Sequence, residues 1–125
     1  MRRNIRSGNP YEDVYGYCRA VRVGDTIHVS GTTAQPPDVD GHDTYHQAVA
    51  ALNIIGRALG EAGSSHADVV RTVTYVTDMR DADLVARAHH EVFGDVRPAA
   101  TLVEVSALID PALKVEIEAY AVIDG

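Results

Sequence analysis

Between Lys114 and Ile123 the chain alternates strictly, with Val115, Ile117 and Ala119 on one side and Glu116, Glu118 and Tyr120 on the other. A strand sends successive side chains to opposite faces, so two carboxyls and a phenol share one surface. Carboxyls held this way can move protons to and from a bound molecule, or hydrogen-bond it. A second alternating run, Ala99 to Leu108, sets Ala100, Leu102, Glu104 and Ser106 against Thr101, Val103 and Val105. The same spacing also fits a plainer arrangement, with Glu104 and Glu118 in solvent or paired with Lys114 or an arginine.

Other reactive residue types lack the company that chemistry needs. His42 and His46 stand four apart, but no third metal ligand accompanies them, so no metal site is expected. His89 and His90 are adjacent and point to different sides of a helix. His28 shares a strand face with Ser30, and nothing around Ser30 signals an activated nucleophile. Cys18, the single cysteine, excludes an intrachain disulfide and reads as a small half-buried residue. Gly60-Glu-Ala-Gly63 reads as a helix stop, not a phosphate loop. No cofactor is implied.

The elements that position these residues follow from periodicity. After a polar, mobile N-terminal arm, Arg19 to Val23 and Asp25 to Gly31 read as two strands joined at Gly24-Asp25. Ala34 to Asp43 is a loop. Thr44 then caps a helix, with Gln47 completing a capping box. Its apolar stripe is Tyr45, Val49, Leu52, Ile55 and Leu59, and Gly60 or Gly63 ends it. Asp68 to Met79 is a β-branched strand, and Asp81 to Phe93 a second helix with Leu84, Val85, Ala88 and Val92 inward and Gly94 as its stop. Two final strands complete an α+β order, predicting a mixed sheet with both helices on one face.

The 125 residues are expected to form one domain, 1–125, with one core. Eleven basic residues against 18 acidic ones give a net charge of −7, which disfavours nucleic acid, whose binding rests on phosphate neutralisation. No run approaches the ~18–20 apolar residues of a membrane span. Met-Arg-Arg-Asn-Ile-Arg is followed by Ser-Gly-Asn-Pro rather than by an apolar signal core, so a cytoplasmic location is expected. The sheet face left open by the helices mixes Tyr, Thr, Ser and Glu with apolar side chains, a composition suited to contact between copies of the chain.

Arg97-Pro-Ala-Ala-Thr-Leu-Val-Glu-Val-Ser-Ala-Leu, followed by Leu113-Lys-Val-Glu-Ile-Glu-Ala-Tyr-Ala-Val, resembles the C-terminal signature of the RidA/YjgF superfamily. Val23-Gly-Asp25 through Val29-Ser-Gly31 resembles its N-terminal hairpin. Leu59 to Gly63 followed by Asp68 to Asp78 resembles its middle. The resemblance spans nearly the whole chain. It implies a chorismate-mutase-like fold and a homotrimer, with small-molecule sites in the clefts between subunits. It further implies hydrolysis of 2-imino acids or their enamines to 2-keto acids and ammonia. On that pattern Glu116 positions the attacking water, Tyr17 and Ser30 line the pocket, and Glu104 matches the acid of the Val-Glu-Val segment.

Several positions depart from the pattern. The arginine that binds the substrate carboxylate is Ala100, the cysteine two residues later is Leu102, and an asparagine on the second helix is Ala86. The residues before Tyr17 are Tyr15-Gly16 where the family has Gly-Pro. A guanidinium fork matches a carboxylate's two oxygens, and alanine offers neither charge nor donor. Arg97, Arg19 and Arg71 are the candidate replacements. If the face of Ala100 and Glu104 meets that of Glu116 and Glu118, burial and like charge raise a carboxyl pKa. Glu116 then serves as acid, base or hydrogen-bonding group, and the pocket favours a neutral or amine-bearing molecule. Two readings stay open: an imine or enamine hydrolase, and a non-catalytic small-molecule-binding or regulatory trimer.

Overall fold

The computed structural model describes residues 1–124. Strands β1 (Arg2–Ile5), β2 (Ala20–Val23), β3 (Thr26–Thr32), β4 (Val69–Val76), β5 (Ala99–Glu104) and β6 (Val115–Val122) form one sheet in the order β1-β2-β3-β6-β4-β5. Only β4 and β5 run parallel. Helices α2 (Thr44–Glu61) and α3 (Ala82–Phe93) cover one face, and the short α1 (Pro10–Tyr15) sits between β1 and β2 in the chain.

The core is the meeting of α2 and α3 with the inward set of each strand. Ile27, Val29, Thr72, Val76, Val115, Ile117 and Ala119 are buried beneath Leu52, Ile55 and Leu59 of α2 and Val85, Ala88 and Phe93 of α3. Alternation in β6 settles its two faces: the apolar set is buried, while Glu116, Glu118 and Tyr120 are only partly covered on the open side. The last strand in sequence lies at the centre, between β3 and β4.

The structure corrects three local expectations. The N-terminal arm is an edge strand, Arg2–Ile5, paired with β2, and Arg3 donates to the Glu61 carbonyl oxygen at 2.7 Å. Its polarity hid it, because an edge strand buries only Ile5. Asp43 rather than Thr44 caps α2, accepting from the His46 N–H at 2.9 Å. Gln47 is fully buried and ties loops together, donating to Val39, His42 and Ala112 carbonyls and accepting from Lys114 N–H. Gly94 caps the end of α3 as expected, its N–H bonding the His90 carbonyl at 2.8 Å; it keeps a right-handed conformation, and Arg97 takes the positive φ of 59° just beyond.

Gly63 ends α2, as one of the two glycines expected to. Its φ is +86°, Ser64 N–H bonds the Leu59 carbonyl at 2.8 Å and Gly63 N–H bonds that of Gly60 at 3.1 Å. This pair of bonds satisfies helix-end carbonyls that would otherwise be orphaned. No helix among the described residues is long and apolar enough to cross a membrane.

Candidate functional site

Two local irregularities shape an open cavity of about 1020 Å³. The first is in β3, where Val29 pairs with Ala119 but Thr32 with Ile117, so one extra residue is accommodated around Ser30-Gly31. A bulge of this kind bends a strand and re-aims its side chains. Here it brings Gly31 against Glu116: a Cβ on Gly31 would stand 3.0 Å from the Glu116 Cδ and 3.1 Å from Oε1. The second is α1, which Asn9 caps through a bond to Tyr11 N–H, with Pro10 in the first turn. It ends at Gly16 in the left-handed conformation and turns Tyr17 back toward the cavity.

Glu116 lines the cavity without a hydrogen bond to any described residue. Burial pushes its carboxyl above the usual range, the Glu118 charge adds to this, and the Arg19 guanidinium opposes it. A half-buried carboxyl with free lone pairs and a raised pKa is a stronger base than an ordinary carboxylate and can both take and return a proton. Beside it, Glu118 accepts from the Tyr75 hydroxyl at 2.9 Å, and that bond, with burial, pushes Tyr75 up to about 12. Tyr75 is therefore a donor held neutral at any physiological pH.

A buried ion pair adjoins the cavity, Glu12 with the lining residue Arg19, 3.7 Å between carboxylate and guanidinium. Arg19 donates to the Gly31 carbonyl at 2.9 Å, the Thr32 hydroxyl at 3.0 Å and the Tyr17 hydroxyl at 2.7 Å. Glu12 accepts in turn from the Ser7 hydroxyl and, at 3.3 Å, from the Ser7 N–H. Arg19 thus holds the bulge that seats Glu116 and the phenol that lines the cavity. With its fork already engaged, it contributes positive potential rather than a free clamp.

The structure brings Glu116, Tyr17 and Ser30 to this one cavity. Ser30 Oγ donates to the Cys18 carbonyl at 2.7 Å, which leaves its lone pairs as acceptors. The expected meeting of the two acidic faces does not occur within the chain. Ala100, Leu102 and Glu104 pair with Thr72, Thr74 and Val76, so they point to the helix side, and β4 separates them from β6. Glu104 accepts from Met79 N–H at 2.8 Å, and Leu102 packs against the core. Ala100 is exposed on the edge strand β5. Arg97, also exposed, bonds the Gly94 carbonyl, and Arg71 donates to the Thr101 hydroxyl at 2.9 Å. Of the three candidate cations, Arg19 alone lines the cavity.

The histidines are accounted for separately. His46 pairs with Asp43 at 2.7 Å, His89 with the Thr72 hydroxyl at 2.8 Å, and His28 packs edge-on against Tyr120. No group of three or more potential metal ligands comes together among the described residues. Sequence reasoning missed α1 altogether, and with it Glu12, Tyr11 and Tyr15. The Asn9-Pro10 pair was a legible start signal, but six residues are too few for helical periodicity to appear.

With this geometry in view, the chain's relatives can be placed. A family model described as endoribonuclease L-PSP matches residues 9–123. An uncharacterized protein of Streptomyces coelicolor is 41% identical over 123 residues, covering 94% of this chain and 91% of its own length. The 2-iminobutanoate/2-iminopropanoate deaminase of Mus musculus is 34% identical over 110 residues, covering 85% of this chain and 80% of its own. The crystal structure of a YjgF/YER057c/UK114 family member from Mycobacterium tuberculosis superposes with a TM-score of 0.92 at 46% identity, covering 98% of this chain and all of that one. The mixed sheet with two helices on one face is the architecture that the order of elements predicted, and the solved family structure shares it. On the family model, on a relative 41% identical and on the shared fold, this chain belongs to the YjgF/YER057c/UK114 family, the RidA superfamily.

Proposed function

We propose that the cavity hydrolyses an imine or enamine, and that copies of the chain complete it as a homotrimer in the cytoplasm. The supporting observation is Glu116: a carboxyl of raised pKa, without hydrogen-bond partners, seated on Gly31 beside Tyr17 and facing the cavity. Water adds to the C=N carbon as Glu116 takes one of its protons, and the substrate nitrogen receives a proton, giving a carbinolamine. That intermediate collapses to a carbonyl with loss of ammonia, the hydroxyl proton passing through the same carboxylate. Overall, one imine and one water give one carbonyl compound and one ammonia. Tyr75 and Tyr17, two of the four tyrosines that line the cavity, hydrogen-bond the developing carbinolamine. In the trimer, the exposed β5 edge of a neighbouring copy, with its Ala100, closes the open side.

A second reading, a non-catalytic ligand-binding or regulatory trimer, is favoured by one observation: Ala100 supplies no carboxylate clamp, and Arg19 is already engaged. A phosphodiester substrate fits less well, because Asp40, Asp110, Glu116 and Glu118 outnumber the two guanidinium groups of the lining, Arg19 and Arg57, where phosphate oxygens need cations. The deciding assay generates 2-iminobutanoate or 2-iminopropanoate in situ with an amino-acid oxidase and traps residual imine with semicarbazide. Accelerated imine loss that vanishes in Glu116→Gln supports the hydrolase. No acceleration by the native chain, with activity appearing in Ala100→Arg, supports the binding reading.

A further inference from the structure

Four tyrosines line the cavity, and two of them, Tyr11 and Tyr15, take part in no step above. Tyr11 and Tyr15 lie one helical turn apart on α1, their rings 6.0 Å between centroids and 19° from parallel. Tyr17 stands across both, 6.4 Å from Tyr11 at 67° and 5.8 Å from Tyr15 at 78°. Two near-parallel rings closed by a transverse third make a corner of π-faces, and all three line the cavity. Tyr15 is 74% exposed and Tyr11 41%, an unfavourable placement for aromatic rings with no task at the surface.

The charges around this corner point the same way. Asp40, Asp110, Glu116 and Glu118 line the cavity with two guanidinium groups, Arg19 and Arg57. Arg19 is paired with Glu12 and engaged by three oxygen acceptors, while Arg57 is exposed on α2 and also lines a neighbouring recess. An anion entering the cavity meets four carboxylates against one unengaged fork, that of the exposed Arg57. The Tyr17 ring already carries the Arg19 guanidinium 5.2 Å from its centroid, so a cation meets the faces of Tyr11 and Tyr15, whose quadrupoles attract it, and the same carboxylates.

We infer that the cavity selects a carboxylate-free organic cation, an iminium or ammonium, received by the faces of Tyr11 and Tyr15 in the corner that Tyr17 closes. The identity of the reacting group rests on the hydrolase reading above; recognition of the cation rests on the tyrosine corner and the lining charges. A protonated imine is the electrophilic form, so the residues that attract its charge also bind the species that water attacks. For an aldimine the balance is R–CH=NH2+ plus water giving R–CHO plus NH4+. A reaction class that oxidises primary amines lacking a carboxylate would supply such a substrate.

The test uses the full chain and two simple probes, tetramethylammonium and butanoate, titrated by calorimetry. Tetramethylammonium binds and butanoate does not over the same concentrations; the reverse preference, or equal binding, overturns the inference. Tyr15→Leu weakens tetramethylammonium about two- to fivefold, as loss of one exposed cation–π contact requires, while Tyr15→Phe retains it. Unchanged affinity in a folded Tyr15→Leu protein also overturns it. In the trap assay, the imine released by a flavin amine oxidase from 2-phenylethylamine is hydrolysed faster than 2-iminobutanoate. Glu116-dependent turnover that favours 2-iminobutanoate defeats the inference while leaving the hydrolase intact. Cation binding with no turnover of either imine supports the recognition and defeats the hydrolase.

Discussion

Gly31→Ala isolates the placement of the Glu116 carboxyl. The alanine methyl would stand 3.0 Å from Cδ, 3.1 Å from Oε1 and 3.3 Å from Cγ of Glu116. Relaxed carbon contacts fall near 3.5–4.0 Å, so the carboxyl must retreat by roughly 0.5 Å or rotate away. Gly31 has no left-handed backbone, and alanine there lowers the unfolded chain's entropy by about 0.4–1 kcal/mol. The yielding group is the end of a flexible side chain, so net stability should change by less than ~1 kcal/mol. Catalytic geometry is less forgiving, since a displacement near 1 Å can cost up to ~100-fold. The variant should therefore melt near the wild type yet lose about 10- to 100-fold in kcat/KM in the imine-trapping assay. Gly60→Ala serves as the matched control. Its methyl meets nothing within 4 Å inside α2, and it should gain up to ~1 kcal/mol with unchanged rate. A folded Gly31→Ala protein with full activity would refute the assignment of proton transfer to a seated Glu116.

Glu12→Ala strands the buried Arg19, so chemical denaturation should show a loss of about 3–5 kcal/mol; a loss below ~1 kcal/mol would show the pair to be dispensable. Glu116 carries a raised pKa in the folded chain, so its contribution to stability is complete below the unfolded carboxylate pKa and is lost as pH rises through the folded value. Relative to the wild type, Glu116→Gln should therefore gain stability as pH climbs through that window, which thermal melts across pH would register. If the ionised carboxylate is the base, the acid limb of kcat/KM falls above the ordinary carboxylate range, and a limb at or below that range would contradict it. Gly56→Ala places a methyl 2.6 Å from the His66 ring, which bonds the Leu52 carbonyl, so it should cost about 1–3 kcal/mol despite alanine's better helix propensity; a rise in melting temperature would contradict the packing.

Periodicity alone was enough to place α2, α3, β4 and β6, because each buries one face and burial leaves its period in the residue types. The same logic correctly separated Val115, Ile117 and Ala119 from Glu116, Glu118 and Tyr120. Elements that bury little left little trace: β1 conceals a single side chain, and α1 is shorter than two turns. Capping also escaped, because Asp43 and Thr44 are both competent caps and only the backbone geometry chooses between them.

What tertiary structure alone decided is which faces meet. Alternation tells that Ala100 and Glu104 share a side, but not that β4 intervenes and turns that side away from Glu116. Strand order depends on pairings between distant segments, and local residue patterns carry no register between them. The union of Glu12 with Arg19, the seating of Glu116 on Gly31 and the corner of Tyr11, Tyr15 and Tyr17 likewise arise from a one-residue bulge and a six-residue helix. Residue types determine which side chains avoid water. Contacts across the chain determine which of the rest face one another.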